Sequence, residues 1–281
     1  MGLYKKEKRE QQELIEASII VDAVKKIREE QPRIGVRKLQ MLLKPVLQKH
    51  GIKIGRDGLF DLLREFGLLV NLKRYKYYTT QSKHQFYKYP NQIKDITVTA
   101  ANQLWVSDIT YIETGLRFSY LFLITDAWSK KIVGYNLSSS YSTQGAIQAL
   151  KMAFNENKIS EGLIHHSDRG IQYCSKEYTL LLKKKKAIIS MTENSDPYEN
   201  AIAERVNGIL KTELLQVKYD NEQQASKAIQ KAVTIYNTKR PHLSIGLLTP
   251  EIAHIKNERV RKLWKNYHQQ NNQLSTCVNI E

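Results

Sequence analysis

The chain has 281 residues, 41% of them hydrophobic and 26% charged, the balance of a soluble globular protein able to bury a sizeable core. Its 44 Lys+Arg against 28 Asp+Glu leave a formal charge of +16, the footprint of a protein that meets a polyanion, with nucleic acid the first candidate and a merely basic solvated surface the plainer alternative. The N-terminus is charged where a signal peptide is apolar, no run approaches the ~18 apolar residues of a membrane span, and Cys174 and Cys277 form no CxxC pair; export, membrane insertion, a disulfide framework and a zinc ribbon are therefore unsupported, and a cytoplasmic setting is expected.

The charge excess is uneven. Residues 1–90 hold 20 Lys+Arg and 10 Asp+Glu, against 24 and 18 in residues 91–281, which makes the N-terminal third the candidate duplex-binding part. From about Glu13 to Val70 the pattern is helical. Val21, Val24 and Ile27 fit a first amphipathic helix; Val36, Leu39, Leu42, Leu43, Val46 and Leu47 a second; Leu59, Leu62, Leu63 and Phe66 a third. Pro45 is expected to kink or divide the second. Gly51 and Gly55 mark the turn before the third, and Gly67 suits its C-terminal cap. Two helices about such a turn, with Arg56 and Arg64 on the second, suit a helix-turn-helix entering a major groove; a small bundle with a solvated basic face is the alternative.

Residues 71–94 are rich in Lys, Arg and Tyr and lack periodicity, a linker composition whose aromatics suit bases or sugars, or the surface of the next domain. Three β-rich runs follow at 104–113, 117–126 and 131–138, separated by short turns, as in an antiparallel meander. A helix is predicted from about Ser142 to Asn155, a strand at 162–168, a helix from about Ser175 to Lys185 and a strand at 187–191. After the loop 192–200 come two long helices, about Ala201 to Val217 and Glu222 to Asn237. This is the element order of an α/β ribonuclease-H-like fold. The predicted organisation is a helical helix-turn-helix-like domain (1–70), a basic linker (71–97), a ribonuclease-H-like core (98–255) and a tail (256–281).

In that order of elements, Asp108 falls inside the first strand, where a charge among apolar neighbours is costly unless it is paired or holds a metal. Asp168 ends the fourth strand, on the edge where open α/β sheets place ligands, and Glu204 opens a helix. Carboxylates from two strands and a helix suit Mg²⁺, and two ions about 4 Å apart can stabilise the attacking and leaving oxygens of an in-line phosphoryl displacement.

The segments "WVSDITYIE", "HHSDRGIQY", "NAIAERVNGILKTEL" and "YNTKRPHLSIGLLTP" resemble, in this order, the catalytic reading-frame product (OrfB type) of bacterial insertion-sequence transposases with an integrase-like core. The interval agrees: 204 − 168 − 1 = 35 residues separate Asp168 from Glu204. The resemblance implies that Asp108, Asp168 and Glu204 are the catalytic, metal-binding triad, served by two Mg²⁺ ions that Mn²⁺ can replace. It implies strand cleavage and strand transfer at terminal inverted repeats, with water and then a DNA 3′-hydroxyl as nucleophile. The partners implied are double-stranded DNA (element ends and target), an upstream-frame OrfA-type protein or a frameshift fusion with it, and a homodimer or larger synaptic complex in the bacterial nucleoid. A non-catalytic regulator and a ribonuclease-H-like nuclease are the rival functions.

Lys211 matches the basic residue seven positions after the family's glutamate. Helical spacing puts it with Glu204, Asn207 and Gly208 on one face, opposite Val206, Ile209, Leu210 and Leu214; Glu213 falls on the apolar side without an account. Glu199 stands where the family usually has an aspartate, which makes it a rival third ligand. In "HHSDRGIQYCS" the ligand is Asp168. His166 shares its face and is a candidate to orient it or touch a phosphate, whereas His165 points to the opposite face and packs. Arg169, Gly170 and Gln172 are expected in a turn that lets DNA approach. Asp126 reads as a turn residue bonding near Ser129, Lys183 to Lys186 as a solvated helix end or a DNA track, and Arg240 and His242 as DNA contacts or a structural cap.

Overall fold

The computed structural model describes residues 2–70, 85–94, 96–115, 117–157, 159, 161–193, 200–256 and 258, with side chains from Lys6 onward. The basic stretch 71–84, the rival ligand Glu199, Cys277 and nearly all of the 256–281 tail lie outside the described residues.

Helix α1 (Gly2–Glu30) begins well before the expected start near Glu13, because residues 2–18 carry helix formers but little apolar periodicity. Only its second half packs: Ile20 and Val24 join Leu39, Leu43 and Leu47 of α2 (Val36–Lys49) and Leu59 and Leu63 of α3 (Arg56–Glu65) in one small core. Pro45 does not divide α2, which runs on to Lys49. Gly51 and Gly67 adopt φ of +66° and +64°, the left-handed conformation that ends a helix at little cost for glycine.

The rest is built on one mixed sheet. β1 (Leu104–Thr114), β2 (Arg117–Asp126) and β3 (Ile132–Ser138) form the expected antiparallel meander; β4 (Ile164–Ser167) and β5 (Ile188–Met191) lie parallel to β1, in the order β3-β2-β1-β4-β5. Side chains alternate along β1. Trp105 and Ile109 face α4 (Thr143–Glu156) and α6 (Lys176–Lys184), while Ile112 faces α7 (Ala201–Ile209) and α8 (Glu222–Thr238). Two apolar layers thus close a three-layer ribonuclease-H-like core.

Several short elements were not anticipated. The four-residue α5 (Ile171–Cys174) and two-residue β6 (Lys218–Tyr219) are too short to carry a period, and α9 (Pro250–Lys256) starts on its proline. The helix expected to reach Val217 instead ends in a π turn, Leu210–Leu214. An i→i+5 turn takes up more residues than an α-helical one, so the faces drawn for a regular helix rotate beyond Leu210.

Candidate active site

The middle of β1 has an open edge. β4 pairs with β1 only over Leu104 to Val106 and β6 only over Glu113 and Thr114, so among the described residues no strand flanks Ser107 to Ile112 on that side. Asp108 sits in this gap, half-buried and on the face that meets α7. Two asparagines of the α7 segment close on it. Asn200 donates from Nδ2 to the Ser107 carbonyl at 2.9 Å, and Asn207 donates from Nδ2 to Asp108 Oδ2 at 2.6 Å. Neither was a predicted site residue; the only sequence signal was the helical spacing that put Asn207 on the face of Glu204.

Asp168 follows β4 directly, and its Oδ1 accepts the Gly170 backbone N–H at 2.9 Å. A Cβ at position 170 would stand 2.9 Å from that same oxygen, which is the physical reason for glycine there. The Asp108 carboxyl is pushed up to about 7, first by burial and then by the Asp168 carboxylate; its bond from Asn207 opposes the rise. The two carboxylates therefore oppose one another's charge in a partly desolvated place.

Glu204, on the first turn of α7, is exposed, and partial burial raises its carboxyl. Its field reaches Asp108, but among the described residues no three of His, Cys, Asp and Glu stand close enough to hold one ion. Lys211 lies in the π turn, with Nζ 3.4 Å from Thr110 Oγ1, two residues along β1 from Asp108. Burial lowers its ammonium while Glu113 and Asp108 pull it up. The donor chemistry fits a hard divalent cation: the carboxylates offer oxygens only, and the Asp108–Asp168 repulsion is what such a charge relieves.

Several expected DNA contacts are inside the molecule. His166 is 0% exposed with Nδ1 2.8 Å from Ser190 Oγ, and Gln172 is 1% exposed, donating from Nε2 to the Tyr141 carbonyl at 2.9 Å. Neither presents itself to a phosphate: His166 is covered within β4 beside Ser190 of β5, and Gln172 lies in α5 where an open turn was expected. His165 packs as expected: Ser107 Oγ and Tyr178 Oη lie 2.7 and 2.9 Å from its Nε2, and burial lowers its imidazole to about 3. Asp126 is the expected turn residue, accepting from Ser129 N and Oγ at 2.7 and 2.6 Å. Arg169 remains partly exposed.

Arg240 takes the structural one of its two expected roles. It is 1% exposed and bonds Glu213 through Nε and Nη2 at 2.9 and 2.8 Å, so it cannot meet DNA at the surface. His242, 2.8 Å from Arg240 Nη1, is buried with it. The same Glu213 carboxylate accepts from Lys38 of α2 at 3.1 and 3.2 Å, which accounts for an acid that helical spacing alone left unexplained. Arg33 adds a backbone bond to the Glu213 carbonyl at 3.3 Å and a guanidinium bond to the Leu215 carbonyl. The helical unit is thus pinned to the turn that carries Lys211. Arg56 and Arg64 on α3 are exposed, beside Asp57 and Asp61.

The integrase core domain family matches residues 98–197, and a second integrase core domain family matches residues 185–250. A transposase for insertion sequence element IS904 of Lactococcus lactis is 31% identical over 248 residues, covering 87% of this chain and 96% of that protein. An insertion element IS600 uncharacterized 31 kDa protein of Shigella sonnei is 35% identical over 219 residues, covering 77% and 79%. The transposase for IS629 of Shigella sonnei is 33% identical over 220 residues, covering 78% and 73%.

Proposed function

This chain belongs to the insertion-sequence transposases with an integrase core, and we propose that Asp108, Asp168 and Glu204 carry its chemistry. It is a DNA transposase, a polynucleotidyl transferase acting on DNA. The observation that bears most weight on the residue assignment is the Asp108 carboxyl raised beside Asp168 at the open edge of β1.

Asp108 and Asp168 would hold the first Mg²⁺, with Glu204 approaching from α7 as DNA fills the edge; Mn²⁺ suits the same oxygens, and a second ion belongs to the same reading. Bound there, the metal supplies charge stabilisation for an in-line phosphoryl displacement. The chain's own groups do the rest. Asn207 fixes the rotamer of Asp108, Gly170 lets the backbone hold Asp168, and Asn200 ties the start of α7 to β1. Lys211 takes a phosphate of the element end, and Arg169 a neighbouring one. Water opens the strand, and the freed 3′-hydroxyl then attacks the second phosphodiester, with no covalent enzyme intermediate.

Around this centre, residues 1–70 would grip duplex DNA with Arg56 and Arg64 of α3, and residues 98–255 would form the catalytic domain. The DNA sites are the terminal inverted repeats and the target, and the working assembly is a homodimer or larger synaptic complex, with an upstream-frame OrfA-type partner or fusion, on the bacterial nucleoid.

The test is a Mg²⁺-dependent cleavage and joining assay on DNA carrying the element's own ends, wild type beside Asp168→Asn. Cut and joined strands from wild type alone support the assignment. Equal products from both proteins would remove Asp168 from the chemistry.

A further inference from the structure

An aromatic notch opens beside Lys211, on the same stretch of β1 that carries Asp108. It is lined by Tyr111 and Glu113 of β1, Phe118 of β2, Lys211, and Gln216 and Val217 just past the π turn. Its apolar walls are unusually bare: Phe118 is 44% exposed and Val217 53%. Tyr111 is the floor of a ring cluster. Its centroid lies 5.8 Å from Phe118, edge-on, 5.1 Å from Tyr120 and 6.4 Å from Tyr141 in a stacked arrangement. Rings already braced this way offer a rigid flat face at little further cost in entropy.

The charges around the notch say what it would meet. Lys211 forms part of its wall, Arg117 precedes Phe118 in the chain, Lys218 follows Val217, and both Arg117 and Lys218 are exposed. Aromatic faces set between cations are how proteins hold a single nucleic-acid strand, with bases on the rings and phosphates on the cations. A base inside a duplex has both faces covered by its neighbours, so only an unstacked base can use a protein ring. The polar edge of such a base would find the Glu113 carboxylate and the Gln216 amide within the same notch.

We propose that this notch takes one unstacked nucleobase of the DNA strand under reaction, stacked on the exposed ring of Phe118 with its edge toward Tyr111, and with an adjoining phosphate on Lys211. The proposal deepens the transposase reading above and rests on it. Position follows from the strand. Tyr111 is three residues from Asp108 and on the other face of β1, which the notch reaches around the open strand edge; the strand rise between them is about 10 Å, about three base steps of DNA. The captured base therefore lies within about three nucleotides of the phosphodiester at Asp108. It would hold the strand in place and favour ends whose pairing opens easily.

The experiment compares binding of the full chain to two duplexes carrying the element's end, one fully paired and one with mismatches within about three nucleotides of the cleaved bond. In parallel, 5-iodouracil is placed at each of those positions, irradiated, and the crosslinked residue is identified by mass spectrometry. Wild type is expected to prefer the mismatched end about five- to tenfold, as one stacked base would give, and to crosslink at Tyr111 or Phe118. Phe118→Ala, exposed and so tolerant of truncation, is expected to lose the preference while binding the paired duplex as wild type does; Tyr111→Leu is the second variant. Equal binding of the two duplexes by wild type, or a preference that survives in both variants, overturns the notch whether or not the protein cuts DNA. A preference lost in the variants, from a protein that neither cuts nor joins, leaves the notch standing and sinks the assignment of chemistry to the triad instead.

Discussion

Glu213 in the π turn and Arg240 after α8 form a two-point ion pair, Nη2 to Oε1 at 2.8 Å and Nε to Oε2 at 2.9 Å, with side chains only 7% and 2% exposed. Removing one partner of such a pair strands a buried charge, which costs about 3–5 kcal/mol. Arg240→Ala is accordingly expected to lower stability by that amount in urea unfolding, far more than loss of a surface DNA contact. A change below about 1 kcal/mol would put the pair among the weak ones.

Lys38 completes this cluster from the helical unit, and its ammonium is lowered to about 8 by burial and by the nearby Arg240, against the pull of Glu213. One carboxylate faces two cations, so Lys38 is the surplus charge. Because its folded value lies below the ordinary 10.5, the fold favours the neutral amine: stability rises as pH climbs from about 8 to about 10.5, and the charged form penalises the fold below that window. The Glu213 carboxyl is held below its usual range by Arg240 and Lys38 despite burial, so its contribution is present at neutral pH and lost in acid. Lys38→Met should flatten the alkaline rise by on the order of 1–3 kcal/mol relative to wild type. Parallel unfolding curves for the two proteins from pH 8 to 10.5 would count against this origin.

Asp108 has the opposite sense. Its folded value of about 7 lies above the ordinary 3.8, so its charged form costs the metal-free protein stability at and above neutral pH, and the cost disappears as pH falls through 7 toward 4. Asp108→Asn should raise the Tm of the metal-free protein at pH 8, by roughly 1–3 kcal/mol in stability, and leave it nearly unchanged at pH 4. Wild type should also release a proton on binding Mg²⁺ below pH 7, which titration calorimetry in buffers of different ionisation enthalpy reads directly. Proton release that persists undiminished in the Asn variant contradicts the attribution.

At Gly170 the argument is steric. The residue has an unremarkable φ of −63°, yet a Cβ would lie 2.9 Å from Asp168 Oδ1. Gly170→Ala is therefore expected to fold normally and to move the carboxylate by a fraction of an ångström or more. Displacements of about 1 Å in a reacting constellation cost about a hundredfold. Cleavage at wild-type rate by a folded Ala variant would mean that Asp168 tolerates the shift or does not act.

The three meander strands and the element order of the core were legible in the chain, because alternation of β-branched and aromatic residues repeats locally; Asp108 stood out as an acid in an apolar strand, whereas Asp168 and Glu204 were singled out by motif resemblance and their interval. The helical unit was legible from local periodicity too, through the repeat of Val36, Leu39, Leu43 and Leu47. Partners of polar groups were not. Asn200 reaches a carbonyl 93 positions away and Lys38 a carboxylate 175 positions away, and nothing local in the chain marks either.

Arg240 shows the distinction most plainly. In sequence it is a cation in a basic protein and reads equally as a DNA contact or a structural cap; in the fold it lies just past α8 against the π turn, buried opposite the Glu213 carboxylate. Sequence alone determined which residue types could do the chemistry and which periods would make strands and helices, since both depend on near neighbours. Tertiary structure decided which charges face water and which neutralise one another, because burial and pairing depend on surfaces brought together from distant parts of the chain.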